Sequence, residues 1–321
     1  MTNQLPRAES MATGSSGWGF FLCTEKEARQ TRAGDLFLSL VLQDRTGRIR
    51  GRIFNDAARL REEFDAGDFV KVQGRADLYN GRVQLIVERI RRVNPDQDRA
   101  QGFREEDCIP SAPRPAGEMW AELEALIARV GDGHVRGLLE RIVRDNAERL
   151  RLWPAAQVVH HAYRGGFLEH ILAVARAALP LADAYGANAD LVIAGAVLHD
   201  IGKLQELDYD LSASYSREGH PVGHIALGIV MVRAAAAAVE GFPDLARTQI
   251  EHMIVSHHGR KEYGSPVEPM TVEALILSMA DDLDTKINQV RQALHNADAD
   301  GEFTAYHARL GRVFWKGGEP G

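Results

Sequence analysis

The sequence predicts a multi-domain α and β protein: a small N-terminal β-barrel followed by an all-α helical bundle. Three observations carry this. Strand-type runs, rich in Val, Ile, Leu and Phe and broken by turn residues, fill the chain as far as about residue 95 and then stop. From Glu118 onward apolar residues recur at three- and four-residue spacing instead. Between them, Asn94 to Gly117 is rich in Pro, Asp and Arg and has little periodicity. The expected division is a flexible lead-in at 1–16, a barrel at 17–95, a linker at 96–117 and a bundle at 118–316.

Within the first domain, Leu36 to Leu42 is β-rich, and Asp44-Arg45-Thr46-Gly47 supplies a turn. Arg48 to Phe54 then alternates basic and apolar residues, which puts arginines on one face of a sheet and aliphatics on the other. A short helical pattern runs from Ala57 to Phe64 and ends at Ala66-Gly67-Asp68. Strands are expected at Phe69 to Ala76 and Arg82 to Val93, joined through Tyr79-Asn80-Gly81, a strong hairpin signal. About five strands and one helix in roughly 80 residues make a small Greek-key barrel, and this order resembles the nucleic-acid-binding OB-fold. Such barrels hold single strands on a basic groove with aromatic platforms. The candidates here are Arg50, Arg52, Phe54, Tyr79 and Arg82. The competing reading makes Phe37 and Phe54 core and the arginines a solvated face.

Charge supports the nucleic-acid reading of this module. The chain of 321 residues has a net charge of −7, yet Gly17 to Pro95 holds 15 Lys and Arg against 11 Asp and Glu. A mildly basic module is thus joined to an acidic remainder. The two cysteines, Cys23 and Cys108, lack zinc or redox spacing and fit a reducing cytoplasm. No apolar run approaches a membrane span of about 20 residues, and no signal-peptide core is expected.

In the second domain, Met119 to Leu150 reads as two helices broken at Gly131-Asp132-Gly133, and Trp153-Pro154 interrupts. Further helices are expected at Gly166–Tyr185, Ala189–Asp200, His224–Glu240, Leu245–Ser256 and Thr271–Asn296. The central stretch is Leu198-His199-Asp200-Ile201-Gly202-Lys203. There a buried apolar run delivers an imidazole beside a carboxylate, a nitrogen and an oxygen donor together. A single helical histidine is more often a hydrogen-bonded side chain than a ligand. Here His170, His199-Asp200, His224 and His257-His258 fall at or near the ends of four helices and Asp281 lies on the last long helix of the same bundle, and bundles build metal sites from facing helices.

The ordered set His170, His199-Asp200 and Asp281 resembles the signature of the HD-domain phosphohydrolases, and His224 with His257-His258 resembles their two-metal branch. GGFLEH, LHDIGKL, HPVGHIALG, SHHGRKEYGSPVEP and ADDLDTKI, downstream of an OB-like module, are similar to YhaM-type 3'-to-5' exoribonucleases over about Phe21 to Lys316. Cyclic-dinucleotide phosphodiesterases of the superfamily carry Gly-Tyr-Pro after the paired histidines, and Tyr263-Gly264-Ser265-Pro266 departs from it.

The resemblance implies one divalent metal on His170, His199, Asp200 and Asp281, and a second on His224 and His257 with Asp200 bridging. Nitrogen and oxygen donors without thiolate suit Mn or Fe, with Mg less suited to so many histidines, and the resemblance favours Mn. Lys203 would neutralise charge on the phosphate or leaving oxygen, and His258 is open as ligand, proton donor or partner of a ligand. The function implied is a cytoplasmic exonuclease that removes nucleoside monophosphates from the 3' end of single-stranded RNA, with single-stranded DNA and a homo-oligomer as further expectations. Two other readings stand beside it. One is an HD hydrolase of free nucleotides whose OB-like module is a sensor or oligomerisation unit. The other is a single-strand-binding protein with a vestigial HD domain, against which the complete ligand set argues.

Overall fold

The computed structural model describes residues 4–31, 33–155, 163–209, 213–295, 297 and 301–317. The chain divides into two compact units, Met1–Ser111 and Ala112–Gly321. No helix among the described residues is long and apolar enough to cross a membrane.

In the first unit, β1 (Ser16–Gln30), β2 (Leu36–Asp44), β3 (Gly47–Ile53), β4 (Phe69–Tyr79) and β5 (Arg82–Arg92) close a barrel in the order β1-β2-β3-β5-β4. All pairs are antiparallel except β3 with β5. Period-two alternation sends Leu38, Leu40 and Leu42 of β2 and Ile49 and Ile53 of β3 inward. The short α1 (Ala57–Leu60) adds Ala57 and Leu60 to that core, followed by the fully buried Phe64. The β2–β3 turn has a chemical cause. Asp44 Oδ1 accepts from the Thr46 amide at 2.8 Å and from its hydroxyl at 2.6 Å. Asn80 and Gly81 both take positive φ (51° and 74°), the backbone a two-residue hairpin turn requires. At the β4 bulge, Gly74 lies so close to β5 that a Cβ there would stand 2.4 Å from the Ile86 carbonyl oxygen.

Two segments differ from expectation. Within the lead-in, Leu5 and Met11 pack into the barrel's core. The Ala8 amide donates to Asp44 Oδ2 at 2.8 Å. The stretch expected as a linker is also docked over residues 98–109. After α2 (Pro95–Asp98), Arg91 grips the buried Asp98 with two bonds of 2.7 Å. Phe103 packs against Phe20 and Phe69, and Cys108 and Ile109 are buried. Charge composition hides these anchors: a few apolar residues among many polar ones suffice to hold a short segment.

The second unit comprises α3 (Ala116–Ala128), α4 (Gly133–Asp145), α5 (Ala147–Leu152), α6 (Gly166–Tyr185), α7 (Ala189–Leu198), α8 (Lys203–Glu206), α9 (Gly219–Val222), α10 (His224–Ala237), α11 (Asp244–Ser256) and α12 (Val272–His295). Asn296, the expected end of the last helix, lies outside the described residues. Among the described residues this unit departs from all-α character in a pair of three-residue antiparallel strands, β6 (Leu207–Tyr209) with β7 (Ala213–Tyr215), and in the isolated bridges Phe303–Trp315 and His307–Arg312. Helix α7 is the axis of the bundle. Asn188 caps it by accepting from the Asp190 and Leu191 amides, and every residue from Leu191 to Leu198 is buried. Its small residues, Ala194, Gly195 and Ala196, permit that enclosure.

Candidate metal centre

His199 and Asp200 follow directly on α7, both buried. His170 comes from the second turn of α6, His224 opens α10, His257 and His258 follow α11, and Asp281 lies on α12. The structure brings all of them together around Asp200. Its Oδ2 stands 3.7 Å from His170 Nε2 and 3.5 Å from His199 Nε2. Its Oδ1 stands 3.4 Å from both His224 Nε2 and His257 Nε2. Asp281 Oδ1 lies 3.3 Å from His170 Nε2 and 3.9 Å from His199 Nε2. Two donor groups result, each with its atoms within 4.8 Å: His170, His199 and Asp281, and His224, His257 and His258. Asp200 faces one with each oxygen.

Gly202 makes this convergence possible. A Cβ there would fall 1.9 Å from the His224 carbonyl oxygen and 2.6 Å from the Gly228 amide nitrogen. The bare α-carbon lets α10 approach the turn carrying Asp200.

The histidines are aimed by their far nitrogens. His199 Nδ1 lies 3.0 Å from the Ala196 carbonyl oxygen and His257 Nδ1 2.6 Å from that of Ile254. A carbonyl only accepts, so each Nδ1 carries a hydrogen and each Nε2 is the ring atom turned toward the centre. His170 Nδ1 lies 2.8 Å from Asp284 Oδ2, and His224 Nδ1 3.3 Å from Glu206 Oε1.

The residues fit divalent cations on a direct observation. Asp200 Oδ1, His224 Nε2, His257 Nε2 and His258 Nδ1 are buried without a hydrogen-bond partner. Each such group costs about 1–3 kcal/mol if left so, and a shared cation relieves the cost. Electrostatics agree. Burial opposes the charge on Asp200, but Lys203 and His199 hold its carboxyl well below the usual range. Burial likewise opposes the charge on Asp281, and His170 outweighs it, so that carboxyl is also depressed. Burial pulls His170 down, yet Asp281, Asp284 and Asp200 push it up to about 9. Carboxylates that hold a proton on a buried imidazole have the negative charge to hold a metal cation. Burial and the neighbouring His257 take His258 down to about 4, so its ring is neutral at pH 7, as a nitrogen donor must be. Lys203 Nζ sits 2.6 Å from Asp200 Oδ2. Burial works against its charge, but Asp200 raises its pKa, so it stays cationic.

The expected nucleic-acid residues gather on the barrel's outer face. Arg52 lies 4.4 Å over the Tyr79 ring and 5.7 Å over that of Phe37, which stacks on Phe54 at 5.6 Å. Phe54 and Tyr79 are 45% and 49% exposed, so neither is core. Arg50 is exposed two residues from Arg52 on β3, and Arg82 pairs with Tyr79 across the hairpin.

An HD domain matches residues 167–286, and an OB-fold nucleic acid binding domain matches residues 24–93. The 3'-5' exoribonuclease YhaM of Bacillus subtilis (strain 168) is 33% identical over 286 residues, 88% of this chain and 89% of its own length. The chain belongs to the YhaM family of 3'-5' exoribonucleases. The YhaM of Geobacillus sp. (strain WCH70) is 32% identical over 285 residues, 88% of this chain and 86% of its own. Among solved structures, a domain of replication protein A from Methanococcus maripaludis covers 28% of this chain and 94% of its own, at 23% identity and a TM-score of 0.25. This YhaM-family chain is accordingly a hydrolase of the HD superfamily, with a nuclease's two domains.

Sequence reasoning does not single out Asp284, Glu206 or the outward stacking of Phe37. A signal exists for the first: Asp281 and Asp284 are three apart on α12 and therefore share a face. Asp282, between them, is exposed and pairs with Lys286 at 2.6 Å.

Proposed function

We propose that the chain is a metal-dependent exoribonuclease that shortens single-stranded RNA from its 3' end and releases nucleoside monophosphates. The observation that carries this is the division of Asp200 between two histidine groups. His170, His199, Asp281 and Asp200 would hold one cation. His224, His257 and Asp200 would hold the other, and His258 stands within ligand reach of it. When bound, such cations lower the pKa of an attacking water and offset charge on the phosphate. The donor set suits manganese or iron better than magnesium.

The chain's own groups supply the rest. Lys203, cationic beside Asp200, offers positive charge to the non-bridging or leaving oxygen of a phosphodiester. Neutral His258 would offer a further nitrogen donor to the second cation. On the barrel, Arg52, Tyr79, Phe54 and Phe37 give bases a stacking platform, and Arg50 and Arg82 track phosphates. Aromatic platforms accept any base, so the barrel retains the strand without reading its sequence.

The test is end-labelled single-stranded RNA and DNA incubated with Mn²⁺, with the product ladder read over time. Stepwise shortening from the 3' end, abolished by chelation and by Asp200→Ala while RNA binding persists, is expected. Full activity of Asp200→Ala, or a free mononucleotide turned over as fast as an oligomer, would sink the proposal.

A further inference from the structure

We propose that Asp284 and Glu206 are positioning residues, one for each half of the metal centre, each aiming one metal-facing imidazole and placing a negative charge behind it. This rests on the two-metal reading above. In the first half, His170 Nδ1 lies 2.8 Å from Asp284 Oδ2, while His199 Nδ1 leans on the Ala196 carbonyl. In the second half, His224 Nδ1 lies 3.3 Å from Glu206 Oε1, while His257 Nδ1 leans on the Ile254 carbonyl. Each half thus holds one imidazole backed by a carboxylate and one backed by a neutral carbonyl, and the second half holds His258 besides. The repetition across unrelated helices is what a shared electrostatic requirement produces.

The two carboxylates are placed for this task. Asp284 sits one turn beyond Asp281, so α12 delivers a ligand and the support of a second ligand from one face. Glu206 Oε1 also accepts the His224 backbone amide at 3.1 Å, so one oxygen fixes both the start of α10 and the ring it carries. A carboxylate behind a histidine sets its tautomer, limits ring rotation and makes its other nitrogen a stronger donor. A purely structural role, tying α12 to α6 or α8 to α10, would affect stability and leave metal affinity alone.

Binding of MnCl₂ by titration calorimetry, with thermal melts in EDTA, separates the two roles. The variants are Asp284→Ala, Asp284→Asn, Glu206→Ala and Glu206→Gln. The alanine variants should bind Mn²⁺ about 10–100-fold more weakly, each at one site. The amide variants should fall between, since an amide oxygen still accepts the Nδ1 hydrogen but lacks the charge. Their melts in EDTA should match wild type, which keeps the comparison valid should an alanine variant fail to fold. Amide and alanine variants that bind Mn²⁺ like wild type would overturn this inference alone. Wild-type protein that takes up no cation would overturn it together with the reading beneath it.

Discussion

Replacing Gly202 with alanine adds one methyl group and should dismantle half of the metal centre. The backbone at Gly202 is ordinary helical geometry (φ −63°, ψ −19°), so alanine meets no conformational penalty there. The whole effect is steric. The new Cβ would stand 1.9 Å from the His224 carbonyl oxygen, a backbone atom that no rotamer change can move. Carbon and oxygen settle at about 3.3 Å, so α10 must retreat by about 1.4 Å or the turn carrying Asp200 must back away by as much. His224 Nε2, now 3.4 Å from Asp200 Oδ1, would leave the reach of a cation shared with that carboxylate. Overpacking of this kind costs about 1–3 kcal/mol in stability, and a misplacement of about 1 Å costs roughly 100-fold in rate. Gly202→Ala should therefore melt several degrees lower, bind one fewer Mn²⁺ than wild type by calorimetry, and shorten labelled RNA at about one-hundredth of the wild-type rate. A variant that melts, binds and cleaves as wild type does would refute the claim that Gly202 sets the spacing between α10 and Asp200.

Two further predictions concern the barrel. Arg91 and the Asn94 amide support the buried Asp98, whose carboxyl lies below its ordinary value chiefly because Arg91 is bonded to it. A depressed carboxylate stabilises the fold above its unfolded pKa and loses that contribution as pH falls through the folded one. Asp98→Asn should thus cost about 2 kcal/mol at pH 7 in urea melts of the full chain, with the gap to wild type closing below about pH 4; a gap independent of pH would contradict this. Tyr79→Ala should weaken single-stranded RNA binding by about 1–3 kcal/mol in a filter or anisotropy assay while Mn²⁺ binding stays at the wild-type value, and unchanged RNA affinity would remove Tyr79 from the platform.

Much of the centre is legible in the sequence because the chemistry is local. His199-Asp200 is a contiguous pair behind an apolar run, and Gly166–Tyr185 coincides with α6 because Gly165 and Gly186 bracket its apolar periodicity. What escapes reading depends on contacts between distant residues. Strand β1 has no clear limits in the sequence, because its 15 residues mix Gly, Phe, Thr and charges and bend at a bulge between Cys23 and Glu25. Residues 98–109 look like a tether because Phe103 and Ile109 are sparse among charges, and only the Phe20 and Phe69 rings against which Phe103 packs reveal its docking. Glu206 sits 18 residues from His224 and on a four-residue helix, so no spacing rule connects the two. Phe37 lies in a strand whose neighbours Leu36 and Leu38 are also apolar, so alternation does not determine which face it takes.

The complete enclosure of α7 has a consequence for how the centre lives in time. A helix with one wet face can open its outer hydrogen bonds while the rest of the protein stays folded. From Leu191 to Leu198 this helix has no such face, so its amides should exchange with solvent only when the whole bundle opens. The His199-Asp200 pair is therefore mounted at the end of a fully enclosed helix, whereas Asp281 and His224, both partly exposed, stand at the rim of the centre. Cations would come and go past that rim, and the pair that anchors them would hold its position through many turnovers.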